Sequence, residues 1–280
     1  MYTILITGIN GFLGSNVAKR LSINHTILGL VRNPENLHRI RGNNFEIYKS
    51  DEAGIKELFE KHKVDVVIHT ATSYGRNNQT VDEISQTNFQ FPLRLLDMAI
   101  KNGVKAFINS DTVLDRFVNL YSLTKCQFAD WLYFRSNQIK VINLQLEHFY
   151  GPGCDNTNFI TMMIGRLKNN ESHIDLTKGE QKRDFIYFDD TVDAYELMVN
   201  KIDSLANAYN NFQVGSGKVV AIKELLNELK KLTNSSTLLN FGAVPYRENE
   251  LMISTTDNSG LVALGWQAKT TLTEGLKKTI

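Results

Sequence analysis

The chain opens on an apolar run, Tyr2 to Ile6, that breaks directly into Thr7-Gly8-Ile9-Asn10-Gly11-Phe12-Leu13-Gly14. Three glycines at this spacing, between an extended apolar stretch and a helical one, describe a tight turn from a first strand into a first helix. Gly8 allows the turn, Gly11 lets backbone approach an anion closely, and Gly14 lets helix lie against strand. The helix expected over Phe12 to Leu21 directs its positive end at whatever the turn holds. A dinucleotide pyrophosphate fits this construction, with Gly8, Asn10, Gly11, Phe12, Leu13 and Gly14 around it.

The rest of the first half repeats the same grammar. Strands are predicted over Tyr2–Thr7, Thr26–Val31, Phe45–Tyr48, Val64–His69, Ala106–Asn109 and Lys140–Leu146, and helices over Phe12–Leu21, Glu52–Lys61, Val81–Lys101 and Leu120–Ser136. Continuous β-branched runs such as Val64-Asp65-Val66-Val67-Ile68 suit parallel strands covered on both faces. Alternation at this spacing predicts right-handed crossovers and an α/β fold with a Rossmann-type, doubly wound parallel sheet. After Tyr150-Gly151-Pro152-Gly153 the pattern loosens into polar loops, short strands and isolated helices such as Ala221–Leu232. We expect a dinucleotide-binding domain over 1–147, with segments near 184–215 returning to it. A smaller, mixed α/β C-terminal substrate lobe is expected over 148–280. The carboxyl ends of the strands are the expected ligand edge.

Composition sets outer bounds. With 280 residues, 42% of them hydrophobic, and a formal charge of +1, the chain is long enough for a large core. It has no bulk electrostatic drive toward nucleic acid or anionic membrane, so neither is expected as a partner. Two cysteines, Cys126 and Cys154, form no metal-like cluster and no disulfide framework. His69 has no second histidine at ligand spacing, so no metal is expected. The chain starts as a core strand rather than a leader, no apolar run reaches spanning length, and the expected location is the cytoplasm.

An NAD site usually carries an acidic residue at the end of the second strand for the ribose hydroxyls. Here that strand ends Gly29-Leu30-Val31-Arg32-Asn33. The planar fork of Arg32 suits a 2′-phosphate, which makes NADP(H) the expected cofactor and NAD(H) the alternative. Asp51 is a candidate for the adenine amine and equally a helix cap for Glu52–Lys61. Thr70 and Ala71, after the fourth strand, join the cofactor-binding set.

Tyr121 and Lys125 lie four apart near the start of a predicted helix, hence on one face. They follow the fifth strand, whose end carries Ser110-Asp111-Thr112. Hydride delivered to a ketone creates an alkoxide that needs a proton. Tyr121 is expected to give it, the Lys125 cation to lower the phenol pKa and hold the nicotinamide ribose, and Ser110 to bond the same substrate oxygen.

At this point the chain resembles the extended short-chain dehydrogenase/reductase family of nucleotide-sugar enzymes. The resemblance runs through TGINGFLG at 7–14, VVIHTAT at 66–72, YSLTK at 121–125, FYGPG at 149–153, RDFIYFDD at 183–190, FQVGSG at 212–217 and LGW at 264–266. Within the family, Tyr74-Gly75-Arg76, Leu146-Glu147-His148-Phe149-Tyr150-Gly151 and Arg247-Glu248-Asn249-Glu250-Leu251-Met252 look like the CDP-paratose and CDP-abequose synthases. The resemblance implies NADPH-dependent reduction of the 4-keto group of a CDP-3,6-dideoxyhexose, in making O-antigen sugars. It implies Ser110, Tyr121 and Lys125 as catalytic groups. The implied substrate contacts are Tyr74, Arg76, Asp111, His148, Arg183, Arg247 and Glu250, with Arg183 and Arg247 on the nucleotide diphosphate. An ion pair with Asp184 is the alternative role of Arg183, and Glu248 and Glu250 offer the same to Arg247. His148 is a candidate contact for the sugar or the nicotinamide amide, or else a core histidine. The resemblance also implies a homodimer paired through Val81–Lys101 and Leu120–Ser136.

Three departures accompany it. Tyr121 follows Ser110 by eleven positions, a short stretch for this family; Gln145 stands where relatives carry arginine; and Glu147-His148 replaces their usual pair. Position 112 is threonine, where a 4,6-dehydratase of this family carries glutamate. Without that carboxylate dehydration is disfavoured. An NAD-dependent 4-epimerase and a catalytically silent dinucleotide-binding protein remain as the other readings.

Overall fold

A computed structural model of the chain describes residues 1–76, 78–248 and 250–280. Asn77, and Asn249 of the segment quoted above, lie outside the described residues. The chain divides into two compact units, one of Met1–Gln145 with Val192–Phe212, the other of Leu146–Thr191 with Gln213–Ile280.

The first unit begins with β1 (Thr3–Thr7), α1 (Phe12–Leu21), β2 (Thr26–Val31) and β3 (Glu46–Lys49). It continues through α2 (Glu52–Lys61), β4 (Val66–His69), α3 (Val81–Ser85), α4 (Phe91–Lys101), β5 (Ala106–Thr112), α5 (Leu120–Arg135) and β6 (Lys140–Leu146). The chain then runs through β7 (His148–Tyr150), α6 (Phe159–Lys168), β8 (His173–Leu176) and β9 (Lys182–Tyr187). The helix α7 (Phe188–Lys201) re-enters the first unit and β10 (Tyr209–Val214) leaves it. The remaining elements are β11 (Val219–Ala221), α8 (Ile222–Leu232), β12 (Leu238–Phe241), α9 (Ser259–Ala263) and α10 (Leu272–Thr279).

Seven strands form one sheet in the order β10-β6-β5-β4-β1-β2-β3. The pairs β1–β2, β1–β4, β2–β3 and β4–β5 are parallel. Leu5, Leu28, Val67, Phe107 and Val141 from this sheet pack with Leu95, Leu96, Phe128 and Leu132 of α4 and α5. The register matters for function. Thr7 pairs with His69 and His69 with Asn109, so three strand ends fall in one row. The glycine turn, Thr70-Ala71 and Ser110-Asp111-Thr112 therefore emerge side by side.

Two expectations change here. The strand expected to stop at Asn109 continues to Thr112, keeping Ser110 and Asp111 inside the sheet. The single helix expected over Val81–Lys101 is interrupted by a π-helical turn at Gln86–Gln90, with Pro92 directly beyond. The wider turn directs Asn88 inward, where its amide bonds the Ser73 backbone on both sides (2.7 and 2.8 Å) and reaches Thr124 Oγ1 at 3.1 Å.

The second unit contains a three-stranded sheet, β11-β9-β7, and a two-stranded one, β12-β8. Its core gathers Tyr150, Phe185 and Tyr187 with Ile160, Ile164, Leu167, Leu225, Leu226 and Leu229. The LGW motif is structural: the Trp266 indole donates to the Asp190 carbonyl at 3.0 Å, and the Asp190 carboxylate caps the Lys269 and Thr270 amides.

Candidate active site

Two kinds of packing hold the glycine turn in shape. Gly8 has φ of +64°, and a Cβ there would stand 2.8 Å from Ala71 backbone. A Cβ on Gly14 would stand 2.3 Å from the Gly8 carbonyl oxygen and 2.7 Å from Thr70 Oγ1. The turn is braced from behind, since Thr70 Oγ1 donates to the Thr7 carbonyl at 2.7 Å and the Ala71 amide donates to Thr7 Oγ1 at 3.2 Å. Phe12 and Leu13 are buried, so toward a ligand they offer the first-turn backbone of α1 rather than side chains. This cradle, too tight for any side chain and closed by the N-terminus of α1, fits a dinucleotide pyrophosphate.

The Asn10 side chain turns away from the cradle. It donates to the Asn36 carbonyl at 2.9 Å and accepts from the Arg39 amide at 3.0 Å, tying the loop after β2 beside the turn. That tie places the Arg39 guanidinium 5.7 Å over the Phe12 ring. Arg39 is a residue that sequence reasoning could not position; the pairing with Asn10 spans 29 residues and no local pattern announces it. Arg32 stands exposed just past the end of β2. Asp51 caps α2, one oxygen accepting from the Gly54 amide at 2.9 Å and the other facing Lys49 at 2.9 Å.

At the end of β5, Ser110, Asp111 and Thr112 are all buried. The capping box at Asn119–Ser122 starts α5 and sets Tyr121 and Lys125 one turn apart. Lys125 is among the largest fully buried side chains. Burial pulls its ammonium down to about 8, against the opposing attraction of Asp111. The Asp111 carboxyl is itself pushed up by burial; its Oδ2 accepts from Asn143 at 2.8 Å, while Oδ1 is buried with no hydrogen-bond partner among the described residues.

The phenol corrects one expectation. Tyr121 is held well above its ordinary value, by burial first and then by Tyr74 and Asp111, with the Thr112 side chain counteracting. The Lys125 charge does not outweigh that burial, so the phenol stands above rather than below its ordinary value. A phenol in this state keeps its proton and is poised as a donor. The Tyr121 ring lies 5.1 Å from that of Tyr74, and the Arg76 guanidinium sits 4.7 Å over Tyr74. Three expected site residues thus lie in contact in series. Ser110 Oγ shares a 2.6 Å hydrogen bond with the Tyr195 hydroxyl of α7, a fully buried partner that no motif marked.

In the second unit, Arg183 pairs with Glu250 at 2.6 Å rather than with Asp184. Asp184 instead accepts from the Ser216 and Gly217 amides at 2.9 and 2.8 Å, closing the turn of the FQVGSG segment. Arg247 is exposed, its carbonyl accepting from the Glu250 amide at 3.1 Å. His148 is bonded through Nδ1 to Glu147 at 2.6 Å. Among the described residues no group of three or more His, Cys, Asp and Glu side chains gathers as metal ligands, and no helix is long and apolar enough to cross a membrane.

Known proteins with this pattern are numerous. A CDP-abequose synthase of Salmonella typhimurium is 30% identical over 290 aligned residues, covering 99% of this chain and 97% of its own. Another, of Salmonella muenchen, is 36% identical over 226 residues, 78% of this chain and 76% of its own. Among solved structures, UDP-glucose 4-epimerase of Thermotoga maritima with UDP-glucose superposes with a TM-score of 0.87 at 26% identity, over 99% of this chain and 97% of that one. Thermus thermophilus UDP-glucose 4-epimerase in complex with NAD shares the fold at a TM-score of 0.85 and 19% identity, over 99% and 97% of the two chains. Residues 4–215 match the NAD dependent epimerase/dehydratase family. The chain belongs to that family, as an enzyme of the extended short-chain dehydrogenase/reductase type.

Proposed function

We propose that the protein is an NADPH-dependent ketoreductase that reduces the 4-keto group of a CDP-bound 4-keto-6-deoxy or 3,6-dideoxyhexose, in the making of O-antigen or related surface sugars. The observation that carries this reading is the row Ser110-Asp111-Thr112 beside Tyr121 and Lys125. It combines a protonated phenol with a buried ammonium and has no carboxylate at position 112 for dehydration. The likeness to CDP-abequose synthases supports the cytidine nucleotide and the dideoxy sugar.

Bound in the glycine cradle, NADPH would supply a hydride to the ketone carbon. The chain's own groups do the rest. Tyr121 donates its phenolic proton to the oxygen as negative charge develops, a role worth on the order of 10²–10⁴ in rate. Ser110, held by Tyr195, donates to the same oxygen and keeps it in line. Lys125 holds the nicotinamide ribose and keeps positive charge beside the phenolate once the proton has left. Asn10, Phe12, Leu13, Thr70 and Ala71 shape the cradle, with Arg32 and Arg39 on the 2′-phosphate and Asp51 at the adenine end. Tyr74, Arg76 and Asp111 contact the sugar. Arg183 and Arg247 grip the diphosphate, with Glu250 orienting Arg183.

The helix α5 supports a homodimer. Phe128 and Leu132 are buried, yet Leu120, Trp131 and Phe134 are exposed away from them, an apolar strip beyond the buried face. A second copy covering that side, in the cytoplasm where NADPH is abundant, completes the proposal. Sedimentation of a Trp131→Ser/Phe134→Ser variant should give a monomer where the wild type gives a dimer.

A second reading, an NAD-dependent 4-epimerase, is favoured by the 26% identity and close superposition with UDP-glucose 4-epimerase. The decisive experiment supplies 4-keto sugar nucleotides and follows cofactor absorbance. Reduction consumes NADPH in proportion to product; epimerisation consumes none. Stronger turnover with NADH, or interconversion of sugars without cofactor loss, would overturn the reductase proposal.

A further inference from the structure

The helix α7 carries a buried hydroxyl that its packing does not call for. Ala194, Met198, Val199 and Ile202 form the buried stripe of this helix, and Tyr195 lies in that stripe at 0% exposure. Phenylalanine would fill the same space without desolvating an oxygen, which costs stability unless the oxygen is bonded. The bond is to Ser110, at 2.6 Å and across 85 positions of sequence. Electrostatics tie this pair to the rest of the row at the end of β5. Burial is the first cause that raises both the Tyr121 and the Tyr195 phenols; Tyr74 and Asp111 add to each, and Tyr195 itself adds to Tyr121.

Either oxygen could donate across that distance, and counting protons decides between them. Burial pushes the Tyr195 phenol up, with Ser110 only partly counteracting, so it keeps its proton. Among the described residues its hydroxyl has one hydrogen-bond partner, Ser110 Oγ. Were Ser110 the donor, the phenol proton would be left buried without an acceptor, the costlier arrangement. A phenol is also a stronger acid than an alcohol, hence the better donor. With Tyr195 donating, the serine proton is the one left over. Ser110 is 8% exposed and has no other hydrogen-bond partner among the described residues, so its O–H is free for a ligand.

We propose that Tyr195 is a positioning residue for the reduction: its phenol donates to Ser110 Oγ and so commits the serine proton to the carbonyl oxygen of the bound ketone. No proton leaves Tyr195; the bond fixes the rotation of the serine hydroxyl and polarises its O–H. Ser110 and Tyr121 then present two protons to one oxygen, which a carbonyl, with two lone pairs and no proton of its own, accepts together. The inference rests on the reductase reading above and deepens it, by giving the serine its direction and assigning that direction to a residue of α7.

The test is a double-mutant cycle of Tyr195→Phe and Ser110→Ala in the full-length protein, read in two ways. The first is steady-state reduction of CDP-4-keto-6-deoxyglucose by NADPH. Tyr195→Phe should lower kcat about tenfold, the order of one hydrogen bond, with KM within about twofold of wild type. In the Ser110→Ala background the same change should leave kcat where it is. The second is thermal unfolding without ligand. Tyr195→Phe alone should lower Tm; after Ser110→Ala, which strands the phenol proton, it should raise Tm. A role for the ring in packing alone predicts the same Tm change in both backgrounds. Wild-type kcat in Tyr195→Phe overturns the proposal, and so does a tenfold loss that recurs without Ser110. A Tm change of one sign in both backgrounds overturns it as well, because the phenol would then have another acceptor. The Ser110→Ala single and double variants keep that comparison open even where Tyr195→Phe alone fails to fold. A wild-type chain that consumes NADPH with neither this ketone nor its UDP counterpart overturns the reductase reading and this proposal together; the other failures fall on this proposal alone.

Discussion

The glycine turn after β1 and the Arg183–Glu250 pair of the second unit are built from opposite materials. The turn is backbone: Gly8, Gly11 and Gly14 lie within seven consecutive residues, and their lack of side chains is what the geometry requires. The ion pair joins side chains 67 positions apart, and neither residue's neighbours name its partner. A site made of local backbone conformation is written in residue spacing, whereas a site made of side-chain pairs is written only in the fold.

That difference explains what could be read in advance. Most strands and helices of the first half followed from apolar periodicity, and i,i+4 spacing set Tyr121 and Lys125 on one helix, α5. The π turn at Gln86–Gln90 did not follow, because it serves a bond from Asn88 to Ser73, fifteen residues earlier. Tyr195 and Arg39 were out of reach for the same reason. The direction of the phenol's pKa was missed, since burial, its largest cause, depends on what packs around Tyr121 in the fold and not on the spacing to Lys125.

The comparison breaks first, and most severely, at the phenol. Tyr121→Phe should lower kcat/KM by about 10²–10⁴ while NADPH binding, measured by fluorescence titration, stays near wild type. Retained turnover would mean that the proton comes from elsewhere, and Asp111 would be the next group to test.

Backbone construction is unforgiving of added atoms. Gly14→Ala inserts a methyl 2.3 Å from the Gly8 carbonyl, with no flexible neighbour to give way. It should cost about 1–3 kcal/mol of stability by chemical denaturation and weaken NADPH more than tenfold. A variant with wild-type affinity would show that α1 can move away from the turn without losing the cradle.

The pH dependence separates backbone from side chain within one enzyme. Lys125, lowered by burial from 10.5 to about 8, carries its charge below that value and loses it above. Unfolded chains hold the lysine proton up to its ordinary value. Over the interval from about 8 to 10.5 the unfolded state therefore binds more protons, and this residue's burial becomes less destabilising as pH rises. Activity should run the other way. We expect kcat/KM to fall through pH 8 toward 9 as the ammonium beside the phenol is lost. Binding of 2′,5′-ADP, which touches the glycine cradle and not Lys125, should stay level over the same range. Parallel decline of both would place the titrating group in the cradle instead.

The smallest effect is expected at the ion pair itself. Arg183 and Glu250 are each partly buried, at 13% and 16% side-chain exposure, and close at 2.6 Å. A pair at that depth is less screened than a surface bridge and less desolvated than a core one, so its coupling should be about 1 kcal/mol or less. A double-mutant cycle of Arg183→Gln and Glu250→Gln, read by denaturation, isolates that figure from the loss of either side chain alone. The same cycle read by CDP titration tells whether Glu250 orients the guanidinium. Orientation requires Glu250→Gln to weaken CDP several-fold in the presence of Arg183 and to have no effect once Arg183 is gone. Equal effects in both backgrounds would make the carboxylate a separate contact, and the pair would then be no counterpart to the glycine turn as a unit of ligand binding.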